Sequence, residues 1–94
     1  RGSAQFFNLS VGKFGLFALA QAMARELGPQ GIHVAHVIID GQINAGRNAR
    51  LAAERRPDAL LEPDDIAQAY WQLHTQNRSS WAFDADLRPW VENF

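Results

Sequence analysis

The sequence predicts an α/β fold, the last third of an open, doubly wound parallel sheet, in the order helix, strand, helix, helix, strand. Three observations carry this. Ile32–Ile39 (IHVAHVII) is nearly all apolar and lacks a period of two, which suits a parallel strand buried on both faces. Trp81, Phe83, Ala85 and Leu87 alternate with Ala82, Asp84, Asp86 and Arg88, the pattern of a half-buried strand. Between them, Glu62-Pro63-Asp64-Asp65 opens a helix, and a strand–helix–strand crossover favours parallel strands with a right-handed connection. Two strands alone leave much apolar surface open, so residues 1–94 read as one C-terminal fragment of a single domain.

The first helix is expected from about Ser10 to Leu27, roughly 27 Å long. Phe14, Leu16, Phe17, Leu19, Ala20, Met23 and Leu27 follow helical spacing, and Asn8 or Ser10 is a candidate cap. Gly28-Pro29 is the expected stop, with Gly at the C′ position. The helix carries apolar residues on more than one face. One face is expected on a sheet and the second on another helix, in another subunit.

His33 and His36 interrupt the first strand. Three residues apart, they point to opposite faces and cannot share a metal, so local hydrogen bonds are expected of both. After Asp40-Gly41, the segment RNARLAAERR is Ala- and Arg-rich with modest helical tendency, a solvated face by default. Its Arg47, Arg50, Arg55 and Arg56 are also the residues that would meet a phosphate or an acidic tail. The next helix, over 63–77, has Pro at its first position and two acids complementing its dipole, with Ile66, Tyr70 and Leu73 as its apolar stripe. Pro89 ends the last strand, and the aromatic tail WVENF is expected to dock.

Composition narrows the class. With 47% apolar and 20% charged residues the chain is of globular type. A net charge of −1 exerts no bulk pull on nucleic acid or anionic lipid, and neither is an expected partner. Cys is absent, which excludes disulfides and thiolate metal sites; no metal is expected. No apolar run approaches the ~20 residues of a membrane span, and no signal-peptide pattern opens the chain. A cytoplasmic location is expected.

Lys13 with the following GLFALAQAMARELGPQGIHV resembles the short-chain dehydrogenase/reductase family, from its catalytic helix into the sixth strand of its Rossmann-like sheet. DGQI is similar to that family's Pro-Gly-x-Ile turn, EPDDIAQAYWQL to the helix introduced by Pro-Glu-Asp-Ile-Ala, and SSWAFDADLRPW lies where the seventh strand follows. The resemblance spans nearly the whole chain, and it rests on the order of these motifs.

The resemblance implies an oxidoreductase using NAD or NADP. In the family, a Lys at the position of Lys13 holds the nicotinamide ribose hydroxyls. Its charge also lowers the pKa of a Tyr four residues earlier, which passes the proton during hydride transfer. Lys13 matches; Leu9 stands at the Tyr position and has no proton to give. Phe6, at the position seven residues before the Lys, has none either, and Ser10 is a poor acid. Tyr70 lies on a helix where the family has no catalytic group, and Ser3 is too close in sequence to Leu9 for the family's serine. Asp40 replaces the turn's Pro; Gly41 and Ile43 are carried over as backbone contacts to the carboxamide. The implied cofactor set is therefore Lys13, Asp40, Gly41 and Ile43, with Lys13 also the catalytic-site match.

Three readings follow. The chain is part of an atypical NAD(P)-dependent oxidoreductase, inactive by itself. Alternatively it belongs to a non-catalytic relative, a cofactor-sensing or oligomerisation module; a Gly-rich loop and a polar acid upstream of Arg1 separate the two. The third, an unrelated helix-rich binding domain, requires that the two strands not be neighbours. A homo-oligomer through the 10–27 helix is expected, because Gly12, Gly15, Ala18 and Ala22 permit close helix approach.

Overall fold

The computed structural model describes residues 7–50 and 56–92. Ser3, Phe6, Arg55 and the end of the aromatic tail lie outside the described residues. Helix α1 is Phe7–Leu27, strand β1 His36–Ile39, helix α2 Arg47–Arg50, helix α3 Pro63–His74 and strand β2 Asp84–Leu87. The order matches the expected helix, strand, helix, helix, strand. β1 and β2 pair in parallel, His36 with Asp84 through Ile39 with Leu87, and α3 lies in the crossover between them. This is part of a Rossmann-like α/β fold.

Several boundaries differ from expectation. α1 is already helical at Phe7, so Asn8 and Ser10 are helical residues; Asn8 Oδ1 accepts from the N–H of Leu9. At the other end the left-handed residue is Gly31 (φ 85°), not Gly28. The chain tightens into a 3-10 turn over Gly28–Gln30 first, and the Gly31 N–H closes onto the Gly28 carbonyl at 2.9 Å. Pro29 fits such a turn, since its fixed φ suits a first turn and its missing N–H has no partner to lose.

The first strand is shorter than Ile32–Ile39. Residues 32–35 run beside 81–83 without a regular ladder, held by His33 Nε2 donating to the Ala82 carbonyl at 2.8 Å. His33 stacks on Trp81, with ring centroids 4.6 Å apart. β2 accordingly begins at Asp84 rather than Trp81. The two histidines have separate partners: His36 Nδ1 lies 3.3 Å from Asp84 Oδ1, and its ring meets Phe17 edge-on.

α3 starts where Pro63, Asp64 and Asp65 place it and ends at His74, not at 77, because the chain turns there to cap a second 3-10 turn. Asn77 Oδ1 accepts from the Ser79 N–H. Tyr70 stands 47% exposed; the half-buried stripe is Ile66, Ala69 and Leu73.

One pairing was invisible in the sequence. Ile43 and Leu61 form a single parallel bridge: the Asn44 N–H donates to the Leu61 carbonyl at 2.7 Å and the Leu61 N–H to Gln42 at 2.8 Å. It draws Leu60, 6% exposed, into the small core. Trp90 docks on the same return, its Nε1 donating to the Pro57 carbonyl at 2.9 Å under the Arg56 guanidinium, 4.4 Å from the ring centre.

Gly41 sits where that return meets the end of β2. Its φ is 148°, and a Cβ there would lie 2.7 Å from Pro89 Cδ. Both the backbone and the ring, which is buried, resist a side chain. Gly41→Ala is therefore expected to cost about 1–3 kcal/mol, read as a lowered urea midpoint at unchanged slope. An unaltered midpoint would show that Pro89 moves aside freely.

α1 leaves a large apolar surface in water. Its inward side, Phe17, Ala20, Ala24 and Leu27, is half-buried, while Phe7, Leu9, Val11, Phe14, Leu16 and Leu19 each exceed 50% exposure. A helix apolar on all sides belongs in an interior. The chain exposes 7278 Å² at 10.5 kDa, where a compact monomer of that mass exposes roughly 5,400 Å².

Candidate functional site

Phe17 fixes how α1 crosses β1, through T-shaped contacts with His36 (5.0 Å) and Phe83 (5.7 Å). From that anchor the N-terminal half of the helix runs over the sheet and leaves a cleft of about 420 Å³ beneath it. The cleft is lined by Leu9, Ser10, Lys13, Phe14, Leu16 and Phe17 of the helix and by His36, Val37, Ile38, Ile39 and Asp40 of the strand.

Lys13, Leu9 and Asp40 thus share one cleft, although 27 residues separate Lys13 from Asp40 in sequence. The polar groups Ser10, Lys13 and Asp40 come from the N-terminal part of the helix and the carboxyl end of β1. In open α/β sheets ligands lie outside the carboxyl ends of the strands, and this is that end. Among the described residues no carboxylate pairs with Lys13. Leu9, 52% exposed, presents only methyl groups beside it.

Gly41 and Ile43 do not line this cleft. Gly41 is packed against Pro89 and Leu61, and Ile43 is paired with Leu61. The turn after Asp40 therefore leads the backbone towards the 57–61 return. The expected carboxamide contacts at these two residues are not in the cleft that holds Lys13.

Sequence reasoning missed what holds Asp40. Its N–H donates to the Leu87 carbonyl at 2.9 Å, and Arg88 Nε lies 3.9 Å from its carboxylate. Arg88 also pairs with Asp86, with Nε 3.2 Å from Oδ1 and Nη2 against Oδ2. The one available signal was DLRP itself, a strand whose acid and base flank its last apolar residue.

His36 also belongs to the cleft wall, a place the sequence reading did not give it. Arg47 and Arg50 are exposed on α2, and Arg56 is engaged with Trp90. None of the three lines the cleft. Among the described residues no His, Asp or Glu cluster has the spacing of a metal site, and no helix is long and apolar enough to cross a membrane.

The donor set offers a cation: Lys13 has no carboxylate partner among the described residues, and an open apolar wall stands beside it. It does not suit acid catalysis by the protein at Leu9.

The chain is 42% identical to a short-chain dehydrogenase from Rhodopseudomonas palustris of known crystal structure, with a TM-score of 0.70. The match covers 96% of this chain and 33% of that one, so the chain spans about a third of the length of that dehydrogenase. No protein-family model and no curated protein matches the chain. Over that third, the chain is similar to a short-chain dehydrogenase in sequence and in fold.

Proposed function

We propose that the chain is the C-terminal part of an atypical NAD(P)-dependent short-chain dehydrogenase/reductase, and that it contributes the ribose end of the nicotinamide site. The observation that carries this is Lys13, unpaired, in one cleft with Asp40 at the carboxyl end of β1. Lys13 would hold the ribose hydroxyls, and Asp40, steadied by Arg88, would form the floor. When bound, the nicotinamide supplies or accepts a hydride. Lys13 orients the ribose, and Leu9 and Phe14 exclude water from its flank.

Leu9 constrains the substrate. It donates no proton, so the reaction is one in which water, or a group from elsewhere in the protein, supplies it. A conjugated C=C acceptor fits, because the charge formed on it is delocalised and takes its proton in a separate step. The same Leu9 favours a second reading, a non-catalytic relative that binds the cofactor as a sensor or serves as an oligomerisation module.

The pyrophosphate of a dinucleotide is held by a glycine-rich turn and a helix N-terminus. No glycine-rich phosphate loop occurs in these 94 residues. The chain alone is therefore expected to show no saturable binding of NADH or NADPH in the micromolar range. A chimera tests the proposal: this chain replaces the matched third of the Rhodopseudomonas palustris enzyme. Micromolar cofactor binding by the chimera, with turnover on an enone, is the expected result. Binding without turnover on any acceptor selects the sensor reading, and a folded chimera that binds neither cofactor sinks both.

A further inference from the structure

We propose that Arg56, laid over the indole of Trp90, is an anion anchor for the substrate, and that the substrate is an acid whose carboxylate it takes. The anchor lies outside the cleft that holds Lys13. The inference rests on the proposed function and adds to it the class of substrate.

The setting of Arg56 is built from the residues around it. Trp90 Nε1 donates to the carbonyl of Pro57, the next residue, at 2.9 Å, and so holds the indole beneath the guanidinium, 4.4 Å from the ring centre. Stacking covers one face of the guanidinium plane and leaves its N–H edge free for two parallel bonds to a carboxylate. Among the described residues no carboxylate takes that edge. Asp58, two residues on and left-handed (φ 56°), makes no ion pair with it. Arg88, two residues before Trp90, shows the contrast, because Asp86 and Asp40 occupy its fork.

The anchor stands at the ligand end of the sheet. Pro89 closes β2 and packs on Gly41, where a Cβ would lie 2.7 Å from its ring, and Gly41 follows Asp40 of the Lys13 cleft. Trp90 is thus one residue past a contact with the cleft's own turn. It lies beyond the carboxyl ends of both strands, where ligands of open α/β sheets bind. A substrate reacting in the cleft extends towards Arg56 across the Gly41–Pro89 contact.

The charge of the site selects the ligand. One fork matches the single charge and two oxygens of a carboxylate, whereas a phosphate, with three oxygens and nearly two charges, calls for more donors than this setting fixes. Arg47 and Arg50, exposed on α2, add to the positive field without a comparable support.

The test titrates the isotope-labelled 94-residue chain with a carboxymethyl-substituted cyclohexenone, with its methyl ester, and with inorganic phosphate. The Arg56 Nε–H and Trp90 Nε1–H resonances report binding. The acid is expected to shift both saturably in the millimolar range, at least about tenfold more tightly than the ester or phosphate, the effect of a charge-assisted pair. Arg56→Gln removes that preference, Arg56→Lys keeps part of it, and the double substitution Arg47→Gln, Arg50→Gln leaves it in place. In the chimera the acid is then turned over with kcat/KM at least about tenfold above the ester, and Arg56→Gln abolishes the difference through KM while NADH affinity stays unchanged.

Four results would overturn the proposal: no saturable shift, or equal shifts with acid and ester; loss of the preference in the Arg47, Arg50 double variant, which marks a diffuse field; phosphate bound as tightly as the acid; or a chimera that turns over acid and ester alike. Acid binding by the chain together with a chimera that binds no cofactor upholds the anchor and removes the oxidoreductase reading, so the two fail separately.

Discussion

At tens of micromolar the chain is expected to sediment as a dimer, and the double substitution Val11→Asp, Leu19→Asp as a monomer. The outward side of α1, opposite Phe17 and Ala24, is Val11, Gly12, Gly15, Ala18, Leu19 and Ala22. Val11 is 74% and Leu19 57% exposed, and a Cβ on Gly12 or Gly15 would meet nothing within 4 Å. Small residues between two branched ones make a shallow seam into which a second helix can settle closely. A two-fold contact brings the same stripe from both protomers.

The magnitudes favour association. Removing roughly 400 Å² of apolar surface contributes about 10 kcal/mol at ~25 cal/mol per Å². Lost translational and rotational freedom costs at least about 4 kcal/mol of this. The remainder, up to about 6 kcal/mol, corresponds to a dissociation constant of tens of micromolar, about −8 kcal/mol being 1 μM. Two aspartates at the seam desolvate two charges per protomer and set like charges opposite, which exceeds that margin. Neither position lines the cleft, so the fold and the site are left intact. A wild-type chain that stays monomeric across 1–100 μM by sedimentation would refute the interface.

How far the sequence disclosed this molecule depends on whether the cause was local. Pro63 and its two acids determine the start of α3 within four residues, and that start is where it was expected. The parallel pairing followed from element order and handedness. The extent of the strands did not, because it depends on His33 reaching Ala82 and Trp81 across 49 residues. Nor did the Ile43–Leu61 bridge, since DALLEP has neither strand length nor alternation. α1 stops at Leu27 as expected, but the left-handed residue was misplaced for a local reason: Gly28 and Gly31 are both available, and only the 3-10 turn through Pro29 decides for the second.

The candidate site was half legible. Lys13 and Asp40, two of the residues the resemblance carries over, line one cleft. Gly41 and Ile43 lead away from it because Pro89 and Leu61, both distant in sequence, hold the turn. No periodicity reports a contact of that kind. The exposed apolar sides of α1 were readable as a helix lacking amphipathicity, and the structure adds which side faces β1 and which faces solvent.

The second large effect is at Lys13. In the chimera, Lys13→Ala is expected to weaken NADH binding about 10- to 100-fold, while Leu9→Tyr leaves the affinity within about threefold. The reason for the first is that a charged donor making hydrogen bonds to a ligand is worth about 1.5–3 kcal/mol, and Lys13 has no carboxylate partner among the described residues to compete for it. The reason for the second is geometric. Leu9 and Lys13 are four residues apart and so lie one above the other on the helix, and Leu9 is half in solvent, with room for a larger ring. A tyrosine there adds a hydroxyl beside the ammonium without displacing a packed neighbour. Lys13→Arg separates charge from shape: it keeps the cation but replaces a compact, rotatable ammonium with a broad planar fork, so partial rescue marks a positioned contact and full rescue a bulk field. Cofactor fluorescence titration at two salt concentrations completes the distinction, because a screened surface charge loses its effect at high salt and a hydrogen bond in a half-closed cleft does not. An unchanged dissociation constant in Lys13→Ala would return Lys13 to the status of a surface lysine, and would take the ribose site away from this chain.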